Sequence, residues 1–128
     1  MSWRVSLEVE GQVVELPEPH HLAGGAEAAL NITYNYGGHF RRVFGGRGLW
    51  DLAGLRANQL IALLDTAIEE LGTDRAPDYW QPTPGNAGAA LSDLRELAKR
   101  SPPSSVLAVW TAPAVWPERP IVGVSRRG

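Results

Sequence analysis

The chain has 128 residues, of which 44% are hydrophobic and 20% are charged, and its formal net charge at pH 7 is -2. These values predict a single globular domain over residues 1–128 and exclude a chain that is disordered throughout. The small negative charge gives no overall attraction to nucleic acid or to an anionic membrane, so we expect neither as a partner. Because the sequence contains no cysteine, disulfides, thiolate metal sites and thiol nucleophiles are also excluded.

The N-terminal residues predict a β-hairpin. Apolar and polar residues alternate with a period of two over residues 3–10, which is typical of a strand with one buried face. We expect a turn at Gly11-Gln12 and a shorter return strand over residues 13–16. Pro17 and Pro19 should end this strand, because proline has no N–H to donate to a β-ladder.

The N-terminus also bears on the location of the protein. Charged residues interrupt each of its apolar runs, so it lacks the pattern of a secretory signal peptide. No uninterrupted apolar stretch elsewhere approaches the roughly 20 residues that span a bilayer. We therefore expect a cytoplasmic protein without a membrane partner.

The segment after the hairpin mixes β-forming residues, glycines and arginines. We expect a loop over residues 20–25, a helical turn or the start of a strand over 26–30, and extended structure over 31–36. Gly37-Gly38 should break the extended segment. The spacing of the apolar residues that follow predicts a short helix over residues 39–44.

Two amphipathic helices are predicted in the second half of the chain. Residues 57–71 carry an apolar stripe at helical spacing, and Gly72 is a typical residue just beyond a helix C-terminus. A second helix is predicted over residues 87–99, with Asn86 as its N-terminal cap.

The C-terminal part adds strands to the sheet. Residues 105–111 are predicted to form a buried strand. A proline-rich tail follows at about residues 112–128, with a further edge strand at 121–124. Together these elements predict an α+β fold with a mostly antiparallel sheet of three to four strands, starting with the hairpin, and two main helices packed on one face.

A stretch of polar, aromatic and basic residues over 31–47 is the first candidate for a site. A spacing of two places Asn31, Thr33 and Asn35 on one face of an extended segment and Tyr34 and Tyr36 on the other. Amides both donate and accept hydrogen bonds, and a tyrosine offers a stacking face. Positive charge for a phosphate or carboxylate is supplied nearby by His39, Arg41, Arg42 and Arg47. The alternative is a solvated loop whose asparagines satisfy their own backbone.

The start of the second long helix is the other candidate. Its first backbone N–H groups have no partner within the helix and carry the positive end of the helix dipole, which suits an anion. The sequence Pro84-Gly85-Asn86 lacks the lysine and the glycine spacing of a phosphate-binding P-loop. A proline–glycine turn followed by an asparagine cap accounts for the same residues without a ligand.

The sequence gives little indication of metal binding or catalysis. His20, His21 and His39 lack the spacing of a metal site, and the Gly-x-Ser-x-Gly motif of hydrolases does not occur. His39 would form an acid–base pair only where the fold brings Asp51 or Asp78 beside it. We predict no metal, no cofactor and no catalytic residue.

Three motifs carry a resemblance. They are Asn-Ile-Thr-Tyr-Asn from residue 31, Gly-Leu-Trp-Asp-Leu-Ala-Gly-Leu from residue 48, and Tyr-Trp-Gln-Pro-Thr-Pro-Gly-Asn-Ala from residue 79. Their order resembles that of small proteins from actinobacteria and their phages, over residues 31–101. Those proteins have no assigned activity, so the resemblance transfers no catalytic residue. It implies an accessory role in phage–host conflict, with residues 31–35 and 82–86 as the matching positions.

Three functional hypotheses follow. The first is a non-enzymatic protein that binds a small polar or anionic ligand, such as a nucleotide, between the two candidate segments. Its site residues would be Asn31, Thr33, Tyr34, Asn35, His39, Arg41, Arg42 and Asn86. The second is a protein–protein interaction module or homodimer that uses Trp80, Trp116 and the tail, since aromatic residues dominate interfaces. The third is a small hydrolase or transferase that uses His39.

Overall fold

The computed structural model describes residues 2–20 and 25–112. Its strands are β1 (Ser2–Val9), β2 (Gln12–Val13), β3 (Glu15–His20), β4 (Gly25–Glu27), β5 (Ala29–Thr33) and β6 (Val106–Ala112). Its α-helices are α1 (Gly37–Phe44), α2 (Ala57–Leu71) and α3 (Pro84–Arg100), and short 3₁₀ helices lie at Tyr34–Tyr36 and Gly48–Leu52. The predicted α+β class is confirmed.

Strand β1 lies at the centre of a four-stranded antiparallel sheet. β5 pairs along one edge of β1 and β6 along the other, so that Val5 lies opposite Leu30 on one side and Val109 on the other. All three side chains are buried. Because directly paired residues share a face, the sheet has one apolar face around these positions. The predicted antiparallel sheet with an N-terminal hairpin is confirmed.

The hairpin turn lies one residue earlier than the expected Gly11-Gln12. The β1–β2 ladder ends at the pair Val9 and Gln12, which leaves Glu10 and Gly11 as the two turn residues. Their φ angles are both positive, 53° and 80°. Two successive residues with positive φ form a type I′ turn, whose twist matches that of the flanking strands and which favours glycine.

The expected end of the return strand at Pro17 and Pro19 is wrong. β3 runs through both prolines and pairs with β4 in a separate two-stranded sheet. The paired positions lie at the two ends of β3, Glu15 with Glu27 and His20 with Gly25. The ladder is irregular between them. The prolines therefore lie where ladder hydrogen bonds are interrupted, and there a missing N–H is tolerated.

Helix α2 begins and ends where its apolar stripe predicts, and Gly72 follows it with a positive φ of 77°. The expectation that Gly37 and Gly38 break an extended segment is wrong, because the strand already ends at Thr33 and these glycines form the first turn of α1. Phe40 of α1 is fully buried, and its ring packs 5.8 Å from that of Trp3. This tertiary packing outweighs the poor helix propensity of two glycines.

Helix α3 begins at Pro84, three residues before the expected start. Its N-cap is Thr83, whose hydroxyl oxygen accepts a hydrogen bond from the Asn86 N–H at 3.1 Å. Proline is favoured at the first helical position because it needs no N–H there. The prediction that Asn86 caps this helix is therefore wrong, and the Asn86 side chain is available for other contacts.

Helices α2 and α3 pack against each other and against the same face of the sheet, as predicted for the two main helices. Their largest fully buried side chains are Leu60 and Leu64 on α2 and Leu91, Leu94 and Leu97 on α3. The first half of α3 is buried around its whole circumference, since each residue from 85 to 91 is buried. A helix with this pattern is covered on every side. The sheet, α2 and the chain segment that joins the two helices provide that cover.

Two glycines allow the joining segment to approach α3 closely. A methyl group added at Gly85 would overlap with the backbone of Asp74, and one added at Gly88 would overlap with the carbonyl group of Gly72. Gly85 and Gly88 lie three residues apart and so share a face of the helix. The chain that leaves α2 therefore lies directly on the backbone of α3.

Several expectations lie outside the described residues. They concern His21, Trp116, the edge strand at 121–124 and the proline-rich tail beyond Ala112. β6 itself is confirmed and spans Val106–Ala112. Of the helices in residues 2–20 and 25–112, none combines the length and the apolar character needed to cross a membrane.

Replacement of Gly88 by alanine is expected to destabilise the protein. The added methyl group would displace the carbonyl group of Gly72, and overpacking of this kind costs roughly 1–3 kcal/mol of unfolding free energy. The matched control is Gly38→Ala on α1, where an added methyl group meets only the Arg41 side chain at 3.9 Å. This control should be neutral or stabilising by up to about 1 kcal/mol. Urea denaturation measures both changes, and equal stabilities would contradict the close packing at Gly88.

Candidate functional site

The segment between α2 and α3, here called the α2–α3 loop (residues 72–83), is held through its own backbone carbonyl groups. Three side chains from the first 3₁₀ helix and α1 hydrogen-bond to carbonyl oxygens of this loop. They are Asn35 Nδ2 to Trp80 at 2.8 Å, the Tyr36 hydroxyl to Tyr79, and His39 Nε2 to Pro82 at 2.9 Å. A carbonyl oxygen only accepts, so the nitrogen of His39 carries the proton in this contact.

Asn86 holds the same loop from the α3 side. Its side chain is only 4% exposed. The Oδ1 atom accepts a hydrogen bond from the Ala76 N–H at 2.9 Å, and Nδ2 donates to the carbonyl oxygens of Asp78 at 3.0 Å and Gln81 at 2.9 Å. The buried amide thus uses its acceptor and both of its donor hydrogens on the loop backbone. Unpaired buried polar groups are costly, so these contacts fix the loop conformation.

The fixed loop exposes two large aromatic side chains. Tyr79 is 46% exposed and Trp80 is 56% exposed. Their rings meet edge to face, with centroids 5.3 Å apart and planes at 80°. The ring of Tyr79 also packs edge to face on that of Tyr36 at 5.9 Å. The loop therefore presents an exposed aromatic surface, and Tyr79 connects this surface to the buried ring of Tyr36.

The predicted row of polar side chains at residues 31–35 does not continue as expected. Asn31 is exposed on β5, whereas Thr33 is buried and its hydroxyl oxygen accepts from the Asn35 N–H at 3.2 Å. The strand ends at Thr33, and the 3₁₀ helix that follows abolishes the spacing of two. Tyr34 packs edge to face against Trp3 with ring centroids 4.8 Å apart. These side chains do not converge on one pocket.

Two of the predicted basic residues pair with carboxylates elsewhere in the structure. Arg42 lies 3.8 Å from the carboxylate of Glu70, and both side chains are more than half exposed. Arg47 binds Asp51 through its backbone N–H and its guanidinium group. Arg41 is exposed beside the glycines of α1. Of the eight predicted site residues, the structure brings Asn35, His39 and Asn86 together, around the α2–α3 loop.

Burial alters the acidity of the two tyrosines that meet at the loop. The pKa of Tyr36 is raised to about 12, first because the side chain is buried and second because of its electrostatic interaction with Tyr79. The pKa of Tyr79 is also raised, first by burial and then by the negative charge of Asp93. Both phenols are therefore neutral at physiological pH, and the Tyr36 hydroxyl keeps the proton that it donates to the loop.

A small cavity of about 100 Å³ lies between the loop and α3. The side chains that line it are Arg75, Ala76, Pro77, Tyr79, Asn86, Ala89, Ala90 and Asp93. Arg75 and Asp93 approach each other to 3.7 Å across it. The cavity thus combines an apolar floor with one charge of each sign. Asn86 is the only predicted site residue that lines it.

Sequence reasoning missed Tyr36, Arg75 and Asp93 as parts of this region. Tyr36 had been placed on the opposite face from the polar row, and the two charged residues stand in no motif. Trp80 was predicted as a contact residue because it stands between Tyr79 and Gln81 and not in apolar surroundings. The partner of each side chain is set by the tertiary fold and leaves no local signal.

The geometry around His39 differs from that of a catalytic acid–base pair. Its Nε2 atom contacts the carbonyl oxygen of Pro82, while Asp51 binds Arg47 and Asp78 accepts from the Trp80 N–H at 3.0 Å. Within residues 2–20 and 25–112, no cluster of three or more histidine, aspartate or glutamate side chains is arranged to hold a metal ion.

Comparisons with known proteins returned no match. No family model, no curated protein and no solved structure matches this chain. The resemblance to small actinobacterial and phage proteins therefore stays an expectation. Function has to be argued from the chemistry of the site, because a fold alone does not identify one.

Replacement of Asn86 by alanine is expected to release the loop. The change leaves the Ala76 N–H and two carbonyl groups without their partner, and we expect a loss of about 2–4 kcal/mol in unfolding free energy. Hydrogen exchange at the Ala76 amide should accelerate more than exchange in α2. The control is Asn31→Ala, an exposed position whose replacement should change stability by no more than about 0.5 kcal/mol. Unchanged protection of Ala76 would show that the amide does not hold the loop.

The raised pKa of Tyr36 makes stability fall at alkaline pH. Its folded pKa of about 12 exceeds the usual 10. The stability that neutral Tyr36 contributes is fully present below pH 10 and is lost as pH rises toward 12, by up to about 2–3 kcal/mol. Urea denaturation at several pH values measures this loss.

The variant Tyr36→Phe should lose less stability between pH 10 and 12 than the wild-type protein, although it is less stable at neutral pH. The control Tyr34→Phe should retain the alkaline loss. An identical alkaline loss in Tyr36→Phe and wild-type protein would mean that other groups cause it.

Proposed function

We propose that this protein is a non-enzymatic cytoplasmic binding module that recognises a partner protein through Tyr79 and Trp80. One observation carries the proposal. The backbone of the α2–α3 loop is fixed by four side chains from three elements, while its two aromatic side chains are about half exposed. A fixed loop that displays aromatic rings is typical of a binding surface.

Preorganisation is the physical reason. Ordering a flexible side chain at an interface costs roughly 0.5–1.5 kcal/mol, and ordering a loop costs more. Here the loop is ordered by Asn35, Tyr36, His39 and Asn86 before any partner arrives. Tyrosine and tryptophan are also the residues that most often dominate binding energy at protein interfaces. Binding would therefore gain aromatic contact area at a small entropic cost.

The roles of backbone and side chain are separate at Trp80. Its carbonyl oxygen accepts the hydrogen bond from Asn35, and its N–H donates to Asp78. Its indole ring makes one ring contact among the described residues, with Tyr79. A substitution at this position can therefore remove the contact surface while the loop keeps its conformation.

A small polar ligand is the second candidate, and the cavity beside Tyr79 favours it. Its volume of about 100 Å³ holds a few non-hydrogen atoms, and Arg75 with Asp93 would pair with a ligand that carries both charges. Pockets for larger ligands usually measure about 300–1,000 Å³. The predicted amides are less suited to a ligand, since Asn35 and Asn86 already bind the loop. Binding that survives Trp80→Ala but not Arg75→Ala would favour this candidate.

The variant Trp80→Ala should lose partner binding while it keeps its stability. We expect at least a tenfold weaker retention of the partner, because truncation of an aromatic hot spot costs roughly 2 kcal/mol or more. The matched control is Leu63→Ala, which removes the exposed leucine of α2. Retention of proteins from a cell lysate on each immobilised variant, quantified by mass spectrometry, compares them.

Analytical ultracentrifugation of each variant distinguishes a separate partner from a second copy of the chain. Concentration-dependent dimers that Trp80→Ala abolishes would identify the partner as a second copy. The proposal is wrong if wild-type protein and Trp80→Ala retain the same proteins in the same amounts and have the same mass.

A further inference from the structure

The aromatic pair on the α2–α3 loop offers ring faces to a ligand. Because Tyr79 and Trp80 meet edge to face at 80°, each covers little of the other, and both remain about half exposed. The face of an aromatic ring carries negative partial charge, and tryptophan attracts cations most strongly. The rings alone would accept either an apolar group or a cation.

The charge of the residues beside the rings decides whether an apolar group or a cation is favoured there. Asp78 lies next to the pair, and its Oδ1 atom accepts from the Trp80 N–H at 3.0 Å. That partner is a neutral amide, which does not compensate the charge of a carboxylate. The cation of the same loop, Arg75, lies 3.7 Å from Asp93 and is compensated by it. Among residues 2–20 and 25–112 no basic side chain forms an ion pair with Asp78, so in this part of the chain the surface around Trp80 carries uncompensated negative charge.

We infer that the partner contributes a basic segment, and that an arginine or lysine side chain of this segment stacks on Trp80 with its charge beside Asp78. This inference rests on the proposed function and names the chemistry of the partner. A planar guanidinium group fits this surface best, because it stacks on an aromatic face and pairs with a carboxylate at the same time.

A nucleic acid fits the same surface less well. Its bases would stack on Tyr79 and Trp80, but stacking would bring phosphate groups close to Asp78 and would be opposed by repulsion between like charges. The formal net charge of -2 adds no long-range attraction. The same carboxylate that disfavours a nucleotide favours a basic peptide.

The test uses short glycine–serine peptides that differ only in the charge of one repeated side chain. The first carries arginine, the second carries citrulline, which is the neutral isostere of arginine, and the third carries glutamate. Each peptide is titrated into the full chain, and the tryptophan indole N–H signals are followed by NMR. We expect the arginine peptide to shift the Trp80 signal and to bind at least roughly tenfold more tightly than the citrulline peptide.

The protein variants distinguish loss of the Asp78 charge from loss of its hydrogen bond to the Trp80 N–H. Asp78→Asn retains an oxygen that can accept from the Trp80 N–H but removes the charge, and it should weaken binding of the arginine peptide by about threefold to tenfold. The control Glu69→Gln removes one charge from the exposed face of α2 and should have no effect beyond that of the net charge. Trp80→Ala should abolish binding, and a rise in salt from roughly 0.05 to 0.5 M should weaken it.

Each other outcome overturns the inference. Equal binding of the arginine and citrulline peptides, preference for the glutamate peptide, unchanged affinity in Asp78→Asn, or no binding at millimolar concentration would each exclude recognition of a basic segment. Failure of the proposed function is a separate result, because it requires that Trp80→Ala retain the same lysate proteins as the wild type. If Trp80→Ala no longer retains the lysate proteins but the arginine peptide is not preferred, the proposed function stands and the partner contributes an apolar group.

Discussion

The buried amide of Asn86 is the interaction on which the candidate site depends. A loop that lies against a helix must find hydrogen-bond partners for backbone groups that water no longer reaches. Asn86 supplies three of these partners from inside α3, and Gly85 and Gly88 let the chain come close enough to use them. The side chains of Asn35, Tyr36 and His39 supply three more from the first 3₁₀ helix and α1.

Local patterns in the sequence predicted the regular elements well. The boundaries of α2 were predicted correctly because its apolar stripe is unbroken and a glycine follows it. β1, its hairpin partner and β6 were also predicted, since their residues alternate or are β-branched. The errors arose at prolines and glycines. Pro17 tolerates a strand where the ladder is irregular, and Gly37 tolerates a helix where Phe40 anchors it in the core.

The candidate site was less predictable, because its contacts join residues that are far apart in the chain. The two segments chosen from the sequence do come together, but Asn35 and His39 contact carbonyl groups of residues 80 and 82, more than forty positions away. A spacing of two is informative only within a continuous strand, and β5 ends at Thr33. Asn86 was assigned to the helix cap, whereas its buried position gives it tertiary contacts that no local motif encodes.

The α2–α3 loop is held through its backbone while the side chains at its tip are exposed, and this has a consequence for how the protein can evolve. The loop conformation depends on carbonyl oxygens, which every amino acid possesses, at Trp80 and Gln81. Both residues are exposed. Selection can therefore exchange the residues at these two positions without loss of the fold, in the way that antibody loops diversify on a constant framework. Related chains would keep an asparagine at position 86 and vary at positions 80 and 81, and each variant would recognise a different partner on the same scaffold.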